Sequence, residues 1–505
     1  MQIEKENALK RILYYCVALI SCFIFTLVAG TIILDSAKQS HSVLWVGMIL
    51  MLAFVIIARQ KCLKGLFACC FACMIVIQVF CGCFLMVKYE TWDVHSVTKS
   101  AIAIANNTQF NLGYFSTCPN NIAITSIYAI LLKLTKWLFN STSVYCLVGF
   151  NIIAVDVSIL LAMKCMDLLE SGELKYKVGI MLTLFAPFYL YIPICYTDTV
   201  SMPFVLGIVY LVLAVVKEKN EQGQDWKRNL KTAAVGALIA LGYKIKGSVI
   251  VLVVAAFLYW FFSMRFKTVL KAAIPFLVGV TVMLAVCNVV FSQLIPVDKS
   301  ALARHKTPMT HYFMMGLKGM GNFNSEDWYF TKNIEGYEEK KAATTEELKR
   351  RIDELGVTGV IQKYHYKATK YTWNYGTCYA ERYLGDLGDQ PINKNVLHEF
   401  VLSRGMYHKL FWTVTQGIWC TYLLFAIIDY VFGLRQKNPE VFFFRLCVIG
   451  LMLFLFIWET HPRYILNFTP LLIMVAVWRM NIVVKRCSEK GTHYLELAIR
   501  YFRKK

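Results

Sequence analysis

Two acids and several cations stand at the borders of long apolar runs, where a charge needs a reason. Trp92-Asp93-Val94-His95 follows one such run. Tyr196-Thr197-Asp198-Thr199 joins two more in a tight turn. Tyr243-Lys244-Ile245-Lys246-Gly247-Ser248 interrupts another, and Glu459-Thr460-His461-Pro462-Arg463-Tyr464 separates the last two. Ionisable groups near hydrocarbon are costly and mark functional sites by default. An aspartate at the membrane–water boundary can take the proton of an attacking hydroxyl. Arg463 presents a planar fork that suits phosphate oxygens. Lys246, with Lys244 and His461 nearby in type, adds positive charge, and Gly247-Ser248 adds a backbone donor and a hydroxyl at a helix start. Plainer readings stand beside these. Asp93 and Asp198 can cap the helices they begin, the lysines can snorkel to headgroups, and Glu459 can pair with Arg463. Trp373-Asn374-Tyr375-Gly376-Thr377 and Glu381-Arg382-Tyr383 can stack a sugar or merely anchor an interface.

The elements that must position these residues follow from composition. Of 505 residues, 57% are apolar and 17% charged; the mean hydropathy is +0.51. Soluble proteins carry about 45–50% apolar and about 25% charged residues, so an ordinary soluble enzyme is excluded, as are a disordered chain and a disulfide scaffold. Apolar runs of about 20 residues recur, the length that crosses roughly 30 Å of hydrocarbon. The chain reads as an all-α polytopic membrane protein. About twelve spans are expected: 12–34, 43–58, 66–87, 144–163, 178–195, 199–216, 232–243, 247–264, 272–295, 411–432, 441–458 and 464–484. The run 232–243 is short enough to be tilted, broken or continuous with its neighbour.

Basic residues set the orientation. Lys+Arg is 53 against Asp+Glu 32, a formal charge of +21. The excess gathers in alternate short loops: Lys5, Lys10 and Arg11; Arg59, Lys61 and Lys64; Lys164, Lys175 and Lys177; Lys217, Lys219, Lys227, Arg228 and Lys231; Arg265, Lys267 and Lys271; Arg435 and Lys437; Lys485 and Arg486. All share one side if both termini are cytoplasmic, which explains the charge without nucleic acid. Counting 121–139 as a span would break this alternation. It is therefore read as a helix in the outer interface, with Lys133, Lys136 and Trp137 at headgroup level. The organisation expected is a transmembrane module 1–295 with an outer loop 88–143, an extracytoplasmic, mostly helical loop domain 296–410, transmembrane helices 411–487, and a cytoplasmic basic amphipathic tail 488–505 with Leu495, Ala498, Ile499 and Phe502 on one face. Within the large loop, Thr344-x-x-Glu347 reads as a capping box opening a helix that Gly356 ends. A second stripe follows at Ile361, Tyr364, Ala368 and Tyr371.

No charge pair is seen at mid-span and no inverted repeat, which argues against an ion-coupled transporter. P-loop, dinucleotide and HExxH motifs are absent. A reaction at an outer face without nucleotides needs a pre-activated donor, and a lipid-linked phosphosugar is one. Its leaving phosphate needs cations to hold it, for which Arg463 and Lys246 serve. The attacking hydroxyl needs one base, for which Asp93 serves, with Asp198 facing it. His95, Trp373 and Arg382 are the candidates for acceptor or sugar contact.

At these residues the chain resembles the integral-membrane GT-C glycosyltransferases, in particular the bacterial branch akin to protein O-mannosyltransferases and aminoarabinose transferases. Asp93 matches the acid of the first large outer loop. Tyr114-Phe115-Ser116-Thr117-Cys118-Pro119-Asn120-Asn121 is similar to the segment after it, Tyr196-Thr197-Asp198 to the second outer acid, Lys246-Gly247-Ser248 to a lysine-centred turn, and Pro462-Arg463-Tyr464 to an arginine-tyrosine near the last spans. The resemblance implies a polyprenyl-phosphate-sugar donor, inversion at the anomeric carbon, and Asp93 as catalytic base. Two spans precede the family's usual first, and Asp93 has His95 rather than a second acid beside it. No metal or other cofactor is expected. The implied partners are membrane lipid, the lipid-linked donor, and a glycan, lipid or protein acceptor at the cell surface. A transporter or flippase of lipid-linked glycans, or a surface-glycan polymerase or ligase, would use similar outer residues.

Overall fold

Hydrocarbon offers no partner for a backbone N–H or C=O, so apolar runs of this length close their hydrogen bonds within helices. The computed structural model describes residues 2–90, 92–169, 172–218, 225–386, 388, 390–434 and 438–503, with side chains described between 8 and 489. It is 81% helical and 1% strand, an all-α membrane architecture. Among the described residues nine helices are long and apolar enough to cross a membrane, accompanied by shorter apolar helices at Ser42–Ala58 and Gly247–Ser263. Lys219, Arg435 and Lys437, and the side chains of Lys5 and the C-terminal stripe, lie outside the described residues.

The short run 232–243 is part of a full helix, Asp225–Ile245. Its first two turns carry Asp225, Lys227, Arg228 and Lys231, so apolarity alone foreshortened it. It crosses the helix Phe266–Leu294 at two glycines. A Cβ at Gly236 would lie 2.1 Å from the Phe276 carbonyl, and one at Gly279 would lie 1.9 Å from that of Ala233. Small residues let membrane helices approach this closely.

The helix Ile122–Phe139 satisfies length and apolarity for a span, and it runs alongside the helix Asp93–Ala105. Near its start, Asn121 and Tyr128 bond Tyr196. Near its finish, Lys136 Nζ donates to Asn106 Oδ1 at 3.0 Å, beside the end of the helix Asp93–Ala105. The two helices lie side by side over the site.

The large loop differs from expectation in two respects and meets it in a third. Its main helix, Tyr337–Lys367, begins a full two turns before Thr344. The Thr344 hydroxyl bonds the Lys340 carbonyl at 2.7 Å, and Glu347 pairs with Arg350 and Arg351, so there is no capping box. Gly356 does end the first helical stretch: it is non-helical at φ 59°, ψ 175°, and a second helix follows across the kink to Lys367. Beyond it, Ala368–Thr372 continues as a π-helix, and Ala368, Trp373, Cys378, Ala380, Tyr383 and Leu384 join the main hydrophobic core. The second half of the loop is thus packed into the bundle. At the C-terminus no break occurs at 488: one helix runs from Thr469 to Arg503.

Charge pairs also exist within the spans. Asp429 on His408–Phe432 is 1% exposed and pairs with Arg479 and Arg445 on the last two helices. Each is a single charge in an apolar run, so nothing local in the sequence marks the pairing.

Candidate active site

The site gathers at the end of the bundle where the helices Asp93–Ala105, Thr197–Val200 and the turn Pro462–Phe468 begin. Trp92, in extended backbone, takes the cap position and leaves Asp93 at the first helical position with no capping bond. Its carboxylate is spent elsewhere. Tyr114 Oη donates to Oδ1 at 2.6 Å, and Tyr196 Oη lies 3.0 Å from Oδ2. Asn121 braces both phenols: its Nδ2 donates to Tyr114 Oη at 2.5 Å, and its Oδ1 lies 2.8 Å from Tyr196 Oη. Burial first, and Asp93 next, hold both phenols far above their usual range, so they stay protonated donors. Asp93 itself is only partly buried and remains open on one side.

Two residues beyond Tyr196, Asp198 is 1% exposed and holds both cations. Lys246 Nζ bonds Oδ1, and Arg463 Nη1 donates to Oδ2 at 2.9 Å. Both carboxylate oxygens are occupied, so Asp198 organises the cations rather than facing Asp93 as a second free acid. It does not cap the helix through its side chain. One positive charge is left over. Arg463 Nε is buried with no partner.

Arg463 stands in an aromatic cage. The ring centroids of Tyr196, Tyr464, Tyr383 and Trp92 lie 4.9, 5.0, 5.4 and 5.5 Å from its Cζ. Rings supply cation–π attraction without neutralising the charge. Tyr196 thus touches Asp93 with its hydroxyl and Arg463 with its face, and only this ring separates acid from guanidinium.

The remaining candidates fall in several places. His461 is buried; its Nδ1 lies 2.8 Å from Tyr371 Oη and its Nε2 3.4 Å from Glu459. Burial lowers its pKa, which leaves the imidazole neutral. Glu459 receives Tyr464 Oη at 3.4 Å and does not pair with Arg463. His95 Nδ1 is turned to the Tyr89 carbonyl at 2.6 Å. Lys244, in the last turn of its helix, is not among the partners of Asp198. Trp373 is 2% exposed within the core, its carbonyl accepting the Trp419 indole, so its ring offers no sugar platform. Arg382 lies over Tyr379, 5.8 Å from the ring centroid. The residues that sequence reasoning left out of the site are Tyr114, Asn121, Tyr196, Trp92, Tyr383 and Tyr464. A signal existed: an aromatic stands next to Asp93, Arg382 and Arg463, and two residues before Asp198. Among the described residues no group of His, Cys, Asp and Glu could hold a metal ion.

A family model described as "Conserved hypothetical integral membrane protein" matches residues 3–484. No curated protein matches the chain. A similar solved structure is the archaeal oligosaccharyltransferase AglB from Archaeoglobus fulgidus, in complex with an inhibitory peptide and a dolichol-phosphate. Identity is 10% and the TM-score 0.45, over 87% of this chain and 52% of that one. The chain spans about half the length of that protein.

Proposed function

We propose that this chain, which belongs to the family of conserved hypothetical integral membrane proteins, is a membrane glycosyltransferase that moves a sugar from a polyprenyl-phosphate donor to a cell-surface glycan, lipid or protein. The observation that carries the reading is the Asp93–Tyr196–Arg463 contiguity: a carboxylate open on one side, one ring away from a caged guanidinium with a free donor. In the proposed reaction Asp93 takes the proton of the acceptor hydroxyl as its oxygen attacks the anomeric carbon. The bond from that carbon to the phosphate oxygen breaks, and its electron pair leaves with the phosphate. Arg463 and Lys246 offset the charge that grows there. Attack from the face opposite the phosphate inverts the centre. Tyr114 and Tyr196 aim the carboxylate, and Asp198 keeps the two cations together.

In the same reading the chain crosses the membrane twelve times with both termini cytoplasmic, the site faces outward, and the helix Ile122–Phe139 lies in the outer interface. No resident cofactor is required by this chemistry.

The test offers purified protein in lipid nanodiscs a panel of polyprenyl-phosphate sugars and reads sugar transfer by mass. Asp93→Asn is expected to unfold at the wild-type temperature and to lose transfer by at least about a hundredfold, within the range that a general base contributes. Wild-type turnover in that variant overturns the assignment.

A further inference from the structure

At the end of the bundle away from Asp93, a second charged centre is built around Asp429. Arg479 donates to its Oδ1 through Nε at 2.9 Å and Nη2 at 2.7 Å. Arg445 approaches Oδ2 at 3.8 Å and donates from Nη1 to the Asp429 carbonyl at 3.1 Å. All three are at most 3% exposed. Among the described residues no second acid pairs with either guanidinium, so one positive charge is in excess. Buried charges are seldom left uncompensated. Arg445 Nε and Asp429 Oδ2 face each other at 3.8 Å, too far for a hydrogen bond, and neither makes a hydrogen bond elsewhere.

Beside them lies a cavity of about 260 Å³. Asp429, Gly433, Asn438, Arg445, Trp478 and Arg479 are among its lining. Gly433 makes the arrangement possible, since a Cβ there would fall 2.1 Å from Arg445 Nη1. The same end of the bundle carries Lys177, which donates to the neutral Asn481 at 3.0 Å, whereas Lys175 and Lys217 are paired with Asp167 and Glu440. The excess charge of the two arginines, with that of Lys177, draws anions toward the cavity.

We propose that this cavity is a phosphate-binding site, filled by the headgroup phosphate of an anionic phospholipid or by free phosphate. Two planar guanidinium groups that share one carboxylate and line the cavity suit phosphate oxygens. A space lined by Trp478 and by Gly433, at the end of the helix His408–Phe432, fits a headgroup at the interface. The site stands apart from the proposed transferase centre and does not depend on it.

The experiment measures thermal unfolding of the full chain in phosphatidylcholine nanodiscs. One arm replaces part of the lipid with phosphatidylglycerol, and another adds inorganic phosphate. A rise of about 3 °C or more in the first arm identifies the lipid phosphate, and in the second arm the free ion. The rise is expected to disappear in Arg445→Gln. It should also disappear in Ile482→Trp, at a further lining residue, which fills the cavity and leaves the three charged residues in place, so it decides even if the arginine variant does not fold. No rise in either arm, or an undiminished rise in Ile482→Trp, overturns the proposal.

Discussion

Arg463 is the residue on which the site turns, because it has two tasks that lysine cannot share. It pairs with Asp198 through one nitrogen and lies among four rings through its flat face. Lysine would keep the charge and lose the stacking and the free Nε–H. Arg463→Lys is therefore expected to lower transfer at least about tenfold with the chain still folded, as read by turnover beside thermal unfolding. Tyr114→Phe removes one of the two phenols that aim Asp93. It should reduce kcat by about ten- to a hundredfold with little change in KM, since misdirection by about 1 Å costs that much. Glu381 supplies a pH signature. It is buried, bonded by Thr377 at 2.7 Å, and pushed up to about 7, chiefly by burial. The folded chain then holds this proton between about pH 4.5, where the unfolded side chain releases it, and about 7. Its contribution to stability falls as pH rises through that window, by up to roughly 3 kcal/mol. His311, lowered to about 4 by burial, gains stability with pH over part of the same range, so the comparison with Glu381→Gln is the informative one. The variant's advantage in unfolding temperature is expected to grow from pH 5 to pH 7.5 and to stay flat above. Of these residues the charged ones were legible in the sequence because a charge beside an apolar run stands out. Tyr196 and Asn121 stood in stretches that the resemblance picked out, but their roles were not legible, because a tyrosine or asparagine at a run's edge is ordinary until its partner, distant in the chain, is known.

At the scale of elements, the reading of apolar runs found the helices and misjudged some of their limits. The helix Asp225–Ile245 was cut short by its polar first turns, and Thr344-x-x-Glu347 imitated a helix start inside a helix already under way. Both errors share a cause: local pattern reports the face a helix shows, not the contacts that extend it. The placement of Ile122–Phe139 rested instead on the alternation of basic loops, a property of the whole chain; its start meets the site through Asn121 and Tyr128, and its finish bonds Asn106 at the other end of Asp93–Ala105. The crossing of Asp225–Ile245 with Phe266–Leu294 depends on Gly236 and Gly279. Gly279→Leu forces these backbones apart and is expected to lower the unfolding temperature by several degrees, with a smaller loss for Gly279→Ala. Such a loss measured in detergent would be accompanied by lower activity, because Lys246 directly follows the first of these helices.

For the whole molecule, the central expectation is the direction in which the site faces. Residues with ion pairs at the far end, such as Lys175 with Asp167 and Lys217 with Glu440, belong to the loops that the charge bias assigns to the cytoplasm. A cysteine placed at Glu326, exposed on the large loop, is expected to react with a membrane-impermeant thiol reagent in intact cells. One placed at Lys175 should react only after permeabilisation. The reverse pattern would turn the molecule over and move the proposed chemistry inside. The naturally occurring thiols need to be blocked or replaced for this measurement, since several lie on lipid-facing or loop surfaces.

Tyr196 has one hydroxyl proton and two acceptors within reach, Asp93 Oδ2 and Asn121 Oδ1. In the proposed reaction, once an incoming hydroxyl has given its proton to Asp93, the acid loses its claim on that phenol, which turns wholly to Asn121. The face that lies against Arg463 would shift with it. Arrival of a proton on one side could thereby be felt by the anion-holding side within a single side chain, and the two half-events of transfer would be timed by a shared tyrosine rather than by movement of a domain.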